Sequence, residues 1–512
     1  MNWLRRELIE HRPIQAGVVK EIAAKGQNVA VVMDTAAGKT IIAFEVANDF
    51  LAKGKVVFFA PNTNLARQNY ERILKFFSLD PAQVELITGT IPPHKRGDFW
   101  RRAQFISATP ETLVNDFAHG RVNADDFALF IFDEFHQGGE KYAYTDLSII
   151  AHKNNITRLG LSATPGVDDA ELDRVLAQLR LTELVVRTAE STGLSEHTWP
   201  KYEFKRIVPL TAELKYYAII LELRLEDILK SLRDFGCVNG AQRILSVRDL
   251  KAVMDKARKL VLLDDEIVVT LNKRILTLAA EYFKLRHFLS VLVTENYLSA
   301  WKFYQELLEE AGRSQPIRAS KRIVTDLRFN VVIDGLRKKV ETGESHPKTL
   351  HLIDILYRLL YGRQQIIIFC NDKNSQLGIL QAMEAHTGLR GRAKVVHSET
   401  SKRGKAETQR VLEAFKTGEV PILISTSILE AGIDIPVVDT IINYSLPLEE
   451  ATMIQRRGRV GRFKDGYIYY LAMEHQFDLS LLYATFAKTR KMLFMIRNLA
   501  KDIKPSRQLS LW

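Results

Sequence analysis

The chain has 512 residues, 46% of them apolar, with a formal net charge of +11. About two to four domains are expected at that length, and no unbroken apolar run of about 18 residues is present to cross a bilayer as a helix. The charged start MNWLRRELIEHRP lacks an apolar leader core, and Cys237 and Cys370 have no metal-ligand spacing, which together predict a cytoplasmic protein with reduced thiols and, from its basic surplus, a polyanionic partner.

NVAVVM (28–33) is a short β-branched run that predicts a buried parallel strand, and KTIIAFEVANDFLAKG (39–54) has helical spacing and ends on glycine. Between them DTAAGKT (34–40) reads as a phosphate-binding loop in which Met33 occupies the place of the usual first glycine. Gly38 lets the backbone approach phosphates where a Cβ would clash, Lys39 reaches β- and γ-phosphate oxygens, and the Thr40 hydroxyl suits Mg2+. Taken alone, the stretch also fits an ordinary strand–loop–helix turn with a chance GKT. KVVFFA (55–60), VELITG (84–89), QFISAT (104–109), FALFIFDE (127–134) and ITRLGLSAT (156–164) continue a βαβ rhythm. FIFDEFH (130–136) puts two carboxylates at the C-terminal end of an apolar strand. Asp133 suits Mg2+ held through water, and Glu134 suits orienting and deprotonating an attacking water.

The rhythm stops near residue 205, and a helical pattern runs from about 211 to 311. Residues 313–339 carry eight basic side chains against two acidic ones. Arg318, Lys321, Arg322 and Lys338 in that strip are candidate phosphate contacts giving salt-dependent binding, with a solvated helix face as the alternative. Just upstream, Trp301, Phe303 and Tyr304 are spaced either to stack on bases or to enter a helical core. Strands resume at RQQIIIFCN (363–371), AKVVHSE (393–399), PILISTS (421–427), VDTIINYSL (438–446) and GYIYYLAM (466–473). QRRGRVGR (455–462), in this second lobe, suits charge delivery across a cleft. Arg459 and Arg462 would face a γ-phosphate, and Gln455 would contact it or the attacking water.

In order along the chain, these stretches resemble the motifs of the superfamily 2 helicases. RPIQ (12–15) is similar to the adenine-reading Q motif through Gln15, with Arg12 beside it. The loop residues Thr35, Ala36, Ala37, Gly38, Lys39 and Thr40 resemble motif I. APNTNLARQ (60–68), with Asn64 and Arg67, resembles motif Ia, and ISATP (106–110), with Thr109, motif Ib. DEFH (133–136), LSATPG (161–166) and IIIFCN (366–371) resemble motifs II, III and IV. STSILEAGIDIP (425–436) resembles motif V, which implies Thr426 on nucleic acid and Gly432 and Asp434 on the nucleotide; QRRGRVGR resembles motif VI. The helical insert, with RHFLSVLVTENYLSAWKFYQELLEE (286–310), ASKRI (319–323) and HPK (346–348), is similar to that of the Hef/FANCM/Mph1 fork remodellers, with RIG-I and Dicer helicase domains as relatives.

The resemblance implies an α/β chain with two RecA-like parallel-sheet lobes, 1–190 and 346–475, around a basic helical insert, 205–345. A helical segment, 476–505, and a flexible tail, 506–512, would follow. It implies ATP and Mg2+ as cofactors and an ATP-dependent helicase or translocase acting on branched DNA. A double-stranded-RNA-dependent ATPase is the close rival, and an ATP-gated nucleic-acid scaffold the rival of another class. Phe135 stands where the family usually has a small residue, so altered packing of motif II on motif III is expected. No nuclease or helix-hairpin-helix pattern follows the second lobe, so fork cleavage is not carried over. Finally, QLSLW (508–512) resembles the QL[SD]LF peptide that docks on the bacterial sliding clamp. Gln508, Leu511 and Trp512 would be its contacts; a tail folded onto the second lobe is the alternative.

Overall fold

The computed structural model describes every residue except 1, 10–11, 35–36, 140–141, 189–199, 239–244, 262–264, 361–363, 397–401, 427–437, 462–464 and 502–512. Two all-parallel sheets form its frame. The first contains β1 (Val29–Met33), β2 (Lys55–Phe59), β3 (Val84–Ile87), β4 (Phe105–Ala108), β5 (Phe127–Asp133), β6 (Thr157–Ser162) and β7 (Glu183–Arg187), in the order β3-β4-β2-β5-β6-β1-β7. Their near-continuous Val, Ile and Phe runs are buried because helices cover both faces, as parallel sheets require. β6 lies between β1 and β5, so its C-terminal end falls between the phosphate loop and the DEFH turn. That placement decides which side chains meet.

The second sheet contains β8 (Lys201–Val208), β9 (Ile366–Phe369), β10 (Ala393–Val396), β11 (Ile422–Ser425), β12 (Thr440–Asn443) and β13 (Gly466–Met473), in the order β10-β11-β9-β12-β13-β8. β8 departs from the sequence reading, which ends the strand rhythm near 205 and opens the insert there. It pairs with β13 from Lys201↔Gly466 to Val208↔Met473, so the chain joins the second lobe before it enters the insert. As an edge strand with only Val208 buried, β8 has no continuous apolar run to betray it.

Six helices among the described residues make the insert: Ala212–Asp234, Val247–Leu260, Glu266–Thr294, Tyr297–Gly312, Arg318–Val324 and Leu327–Thr342. Side chains of Thr211, Ser246, Asp265, Asn296 and Asp326 accept backbone N–H bonds at five of the starts, which fixes where the helices begin. Leu221, Leu225, Tyr282, Phe288, Phe329 and Leu336 share one buried core with Met473 of β13. At about 1.5–3 kcal/mol for each large apolar side chain, that core binds the insert to the second lobe. The last helix, Gln476–Lys501, starts on the second lobe and ends on the first: Leu482 lies in one core, and Met492, Met495 and Ile496 lie in the other. No helix among the described residues is long and apolar enough to cross a membrane.

Candidate active site

The phosphate loop leaves the C-terminal end of β1. Met33 is the last strand residue and points into the core at 1% exposure, so its bulk lies behind the loop. Gly38 has φ +89° and caps the helix Lys39–Phe50. A Cβ there would lie 2.0 Å from Gln15 Nε2, so glycine answers both the backbone angle and a close neighbour. Gln15 is buried, its Nε2 is 3.5 Å from Ala37 O, and its Oε1 accepts the Arg12 N–H at 3.1 Å. Gln15 therefore packs on the loop itself. Lys39 Nζ donates to Met33 O at 3.1 Å and reaches Asp34 O at 3.4 Å. Burial lowers its pKa, while Glu134, Asp133 and Asp34 act the other way. Thr35 and Ala36 lie outside the described residues.

Across β6, the chain turns sharply after β5. Glu134 has φ +50°, and the turn Phe135–Gly139 follows. The Tyr144 hydroxyl donates to Asp133 O at 2.9 Å, and Glu134 N donates to Asp133 Oδ1 at 3.2 Å. Burial raises the pKa of both carboxyls; the Glu134 charge raises Asp133 further, and Lys39 opposes both. Glu134 Oε2 makes no hydrogen bond and lies 3.5 Å from His136 Nδ1. That same ring nitrogen is 2.9 Å from Ser162 Oγ and 3.4 Å from Thr164 Oγ1. His136, Ser162 and Thr164 thus join the DEFH turn to the end of β6. All three fall inside motif-like stretches of the sequence, but their proximity depends on strand order, which the sequence alone does not reveal. Phe135 is fully buried, so the altered packing expected of it takes the form of an inward-facing ring.

The second lobe faces this turn across a cleft of about 810 Å³. Glu134, His136 and Thr164 line one wall, and Gln455, Arg459 and Lys488 the other. Gln455 projects from the helix Glu450–Arg457. Arg456 pins that helix: its Nη1 donates to Asn443 Oδ1 at 2.6 Å and its guanidinium lies 4.3 Å over the Phe369 ring. Arg457 pairs with Glu203 of β8 at 2.7 Å, so these two arginines hold the element that presents Arg459. Arg462 lies outside the described residues. The cleft sets Glu134 opposite Arg459, and Lys39 and Asp133 interact with Glu134 from the buried side, an arrangement that suits phosphoryl transfer to water. A buried amine beside Asp133 and an unbonded Glu134 oxygen fit a nucleotide triphosphate with Mg2+ at Thr40 and Asp133.

A smaller polar hollow of about 350 Å³ opens where the helices Thr63–Phe76 and Pro110–Ala118 begin. Thr109 lines it and shares a 2.8 Å hydrogen bond with Thr112, while Asn64 and Arg67 are exposed on the first of these helices. Thr426 is buried with an unbonded hydroxyl; Gly432 and Asp434 lie outside the described residues. The basic strip is less free than its composition suggests. Arg322 pairs with buried Glu281 at 2.6 Å, Arg328 with Asp227 at 2.8 Å, and Lys339 is buried between Glu213 and Glu344. Glu213, Asp227 and Glu281 come from other helices and Glu344 lies just past the strip, so a local charge count omits all four. Arg318, Lys321 and Lys338 are exposed. Tyr304 is in the insert core with Trp301 and Phe303 packed against it, so the aromatic cluster serves packing.

The DEAD/DEAH box helicase family matches residues 12–172, and the helicase conserved C-terminal domain matches residues 348–464. A Methanocaldococcus jannaschii protein, provisionally named an ATP-dependent RNA helicase, is 27% identical over 97% of this chain and 63% of its own length. The ATP-dependent DNA helicase fml1 of Schizosaccharomyces pombe is 27% identical over 92% of this chain and 58% of its own. The chain thus spans about six-tenths of the length of these curated relatives. The crystal structure of the Pyrococcus furiosus Hef helicase domain is 28% identical and superposes with a TM-score of 0.68, covering 94% of this chain and 99% of that one. Matched by both helicase domains in order and by the Hef fold over nearly its full length, the chain belongs to the superfamily 2 helicases, in the Hef/FANCM branch.

Proposed function

We propose that the chain is an ATP-dependent DNA helicase or translocase that remodels branched DNA such as forks and displacement loops, working in the cytoplasm. The observation that carries this reading is the cleft with Glu134 on one wall and Gln455 and Arg459 on the other. Lys39 and the loop amides hold the phosphates, and Glu134 orients a water and takes its proton as that water attacks the γ-phosphorus. Arg459, with Arg462, stabilises the charge that develops on the transferring group. Mg2+ held by Thr40 and Asp133 would supply further neutralisation of the phosphate oxygens. Closure on ATP and reopening after hydrolysis advance the nucleic acid held by Asn64, Arg67, Thr109 and Thr426, while exposed insert cations track phosphates. The test is ATPase and strand displacement over single-stranded, duplex, forked and four-way DNA with RNA counterparts. Stimulation by forked DNA above duplex supports the reading, and no stimulation by any DNA overturns it.

The name of the M. jannaschii relative favours a second reading, an RNA-dependent ATPase. Greater stimulation by double-stranded RNA than by forked DNA in the same panel would select it. An ATP-gated scaffold would be expected to lack Glu134 or an arginine finger; Glu134 and Arg459 are both present. The segment QLSLW, with Gln508, Leu511 and Trp512, lies outside the described residues; its likeness to clamp-docking peptides supports recruitment to a bacterial sliding clamp at replicating DNA. An isolated peptide of this sequence should bind such a clamp with micromolar affinity, and Leu511→Ala with Trp512→Ala should remove that binding.

A further inference from the structure

Phe135 and Gly160 meet beneath the DEFH turn. Gly160 lies on β6 opposite Phe132 of β5, and the Phe135 ring folds back over it. A Cβ at Gly160 would stand 3.1 Å from Phe135 Cδ1 and 3.3 Å from its Cγ, with Leu181 Cδ1 at 2.7 Å. The backbone of Gly160 has no positive φ to call for glycine, so the absent side chain answers a need for space. Immediately before Phe135, Glu134 holds a left-handed conformation that non-glycine residues seldom adopt. Such a conformation persists only where its surroundings over-determine it. Two anchors flank it: the Tyr144 hydroxyl on Asp133 O, and the Phe135 ring in the notch above Gly160.

We propose that Gly160 and Phe135 form a size-matched pair that positions the Glu134 carboxylate in the cleft, Gly160 by leaving the seat and Phe135 by filling it. The inference rests on the proposed role of Glu134 as the base for the attacking water. A methyl group at Gly160 meets Leu181 Cδ1 first, the flexible end of a side chain that can turn aside, and then presses the rigid Phe135 ring, which must give by a few tenths of an ångström and passes that shift to Glu134 one residue away. The three heavy atoms nearest that methyl belong to Leu181 and Phe135 and none to the phosphate loop, so ATP binding should change less than turnover.

The test is steady-state ATPase with saturating nucleic acid for the parent, Gly160→Ala, Phe135→Leu, Leu181→Ala, and the doubles of Gly160→Ala with each of the last two. Gly160→Ala should lower kcat about tenfold, on the scale by which small misplacements slow positioned chemistry, with KM for ATP changed less than about twofold. Adding Phe135→Leu should recover most of that loss because the smaller side chain vacates the space, whereas adding Leu181→Ala should not. Additive effects of Gly160→Ala and Phe135→Leu, rescue by Leu181→Ala in place of Phe135→Leu, or a rise in KM at unchanged kcat would each overturn the pair. Binding of a non-hydrolysable ATP analogue shows which variants are folded; a Gly160→Ala protein that binds the analogue and hydrolyses at the parental rate also overturns it. A parent without ATPase would sink the assignment of Glu134 itself, which is a different failure.

Discussion

Three charged side chains, Lys39, Asp133 and Glu134, share one buried corner of the first lobe, and their pKa shifts trace to that burial. An amine and two carboxylates confined this way hold their charges partly through one another, and phosphate with Mg2+ would complete the balance. Lys39→Ala should therefore abolish turnover by weakening phosphate binding. Glu134→Gln keeps the shape and removes the proposed base, so nucleotide should stay bound while hydrolysis falls about 10²–10⁴-fold, the usual scale for a positioned base. Arg459→Ala should cut turnover by about 10³-fold or more if it acts as the proposed arginine finger. Equilibrium binding of a fluorescent ATP analogue beside steady-state turnover separates the three. Turnover at the parental rate in Glu134→Gln would remove that residue from the chemistry. Met33 carries a further lesson about single residues: it looks like an error in the loop until the strand is seen to end there, with the side chain facing the core.

The insert shows how elements change the meaning of a sequence pattern. Of the four candidate phosphate contacts, Arg318, Lys321 and Lys338 are exposed and, among the described residues, outside any ion pair with a buried acid, so their joint neutralisation should flatten the salt dependence of DNA binding by about 0.7–0.9 of a slope unit per lost contact. Arg322→Gln should leave the slope closer to the parent's but lower stability, because buried Glu281 loses a partner. An equal slope change in both proteins would refute the distinction. The docking seam with the second lobe makes a separate prediction. Glu295, at the end of the helix Glu266–Thr294, accepts hydrogen bonds from Ser375 and Ser445 at 2.8 Å, and burial pushes its carboxyl up to about 7. Lys348 opposes that rise and Asp372 adds to it. A raised carboxyl pKa means the folded state holds the proton more tightly, so its stabilising contribution is full below the ordinary carboxylate pKa. It is lost as pH climbs through about 7. Melting between about pH 5 and about pH 8 should show this decline, and Glu295→Gln should flatten it; an unchanged decline would acquit the residue. The parallel strands were legible in the sequence because burial on both faces writes an apolar run into each. β8 was not, since an edge strand carries no such run. The loop lysine, the DEFH carboxylates and the arginine-rich segment were legible because their chemistry needs fixed spacing. His136, Ser162 and Thr164 needed strand order to bring them together, and Arg322 needed its partner helix.

At the scale of the whole molecule, the final helix decides how independent the lobes are. It is one continuous element from Gln476 to Lys501, with Leu482 buried in the second lobe and Met492, Met495 and Ile496 buried in the first. Lys491 adds an ion pair to Asp168 at 2.8 Å, but both side chains are largely exposed, so its contribution is small beside that of the buried methionines. Each buried methionine truncated to alanine costs about 2–5 kcal/mol, and the loss falls on the joint between the lobes as well as on the first lobe's own core. The helix should therefore act as a mechanical tie that makes two separately built sheets melt together. In calorimetry without nucleotide or DNA, the parent should unfold in a single transition. Met492→Ala with Met495→Ala should split it, the first lobe melting below a second transition from the insert and second lobe, which share their own core through Met473. Lys491→Ala should leave the single transition in place and nearly unmoved. A double mutant that still melts in one step, merely at lower temperature, would mean that the lobes are coupled across the cleft by contacts other than this helix, and the tie would have to be sought elsewhere.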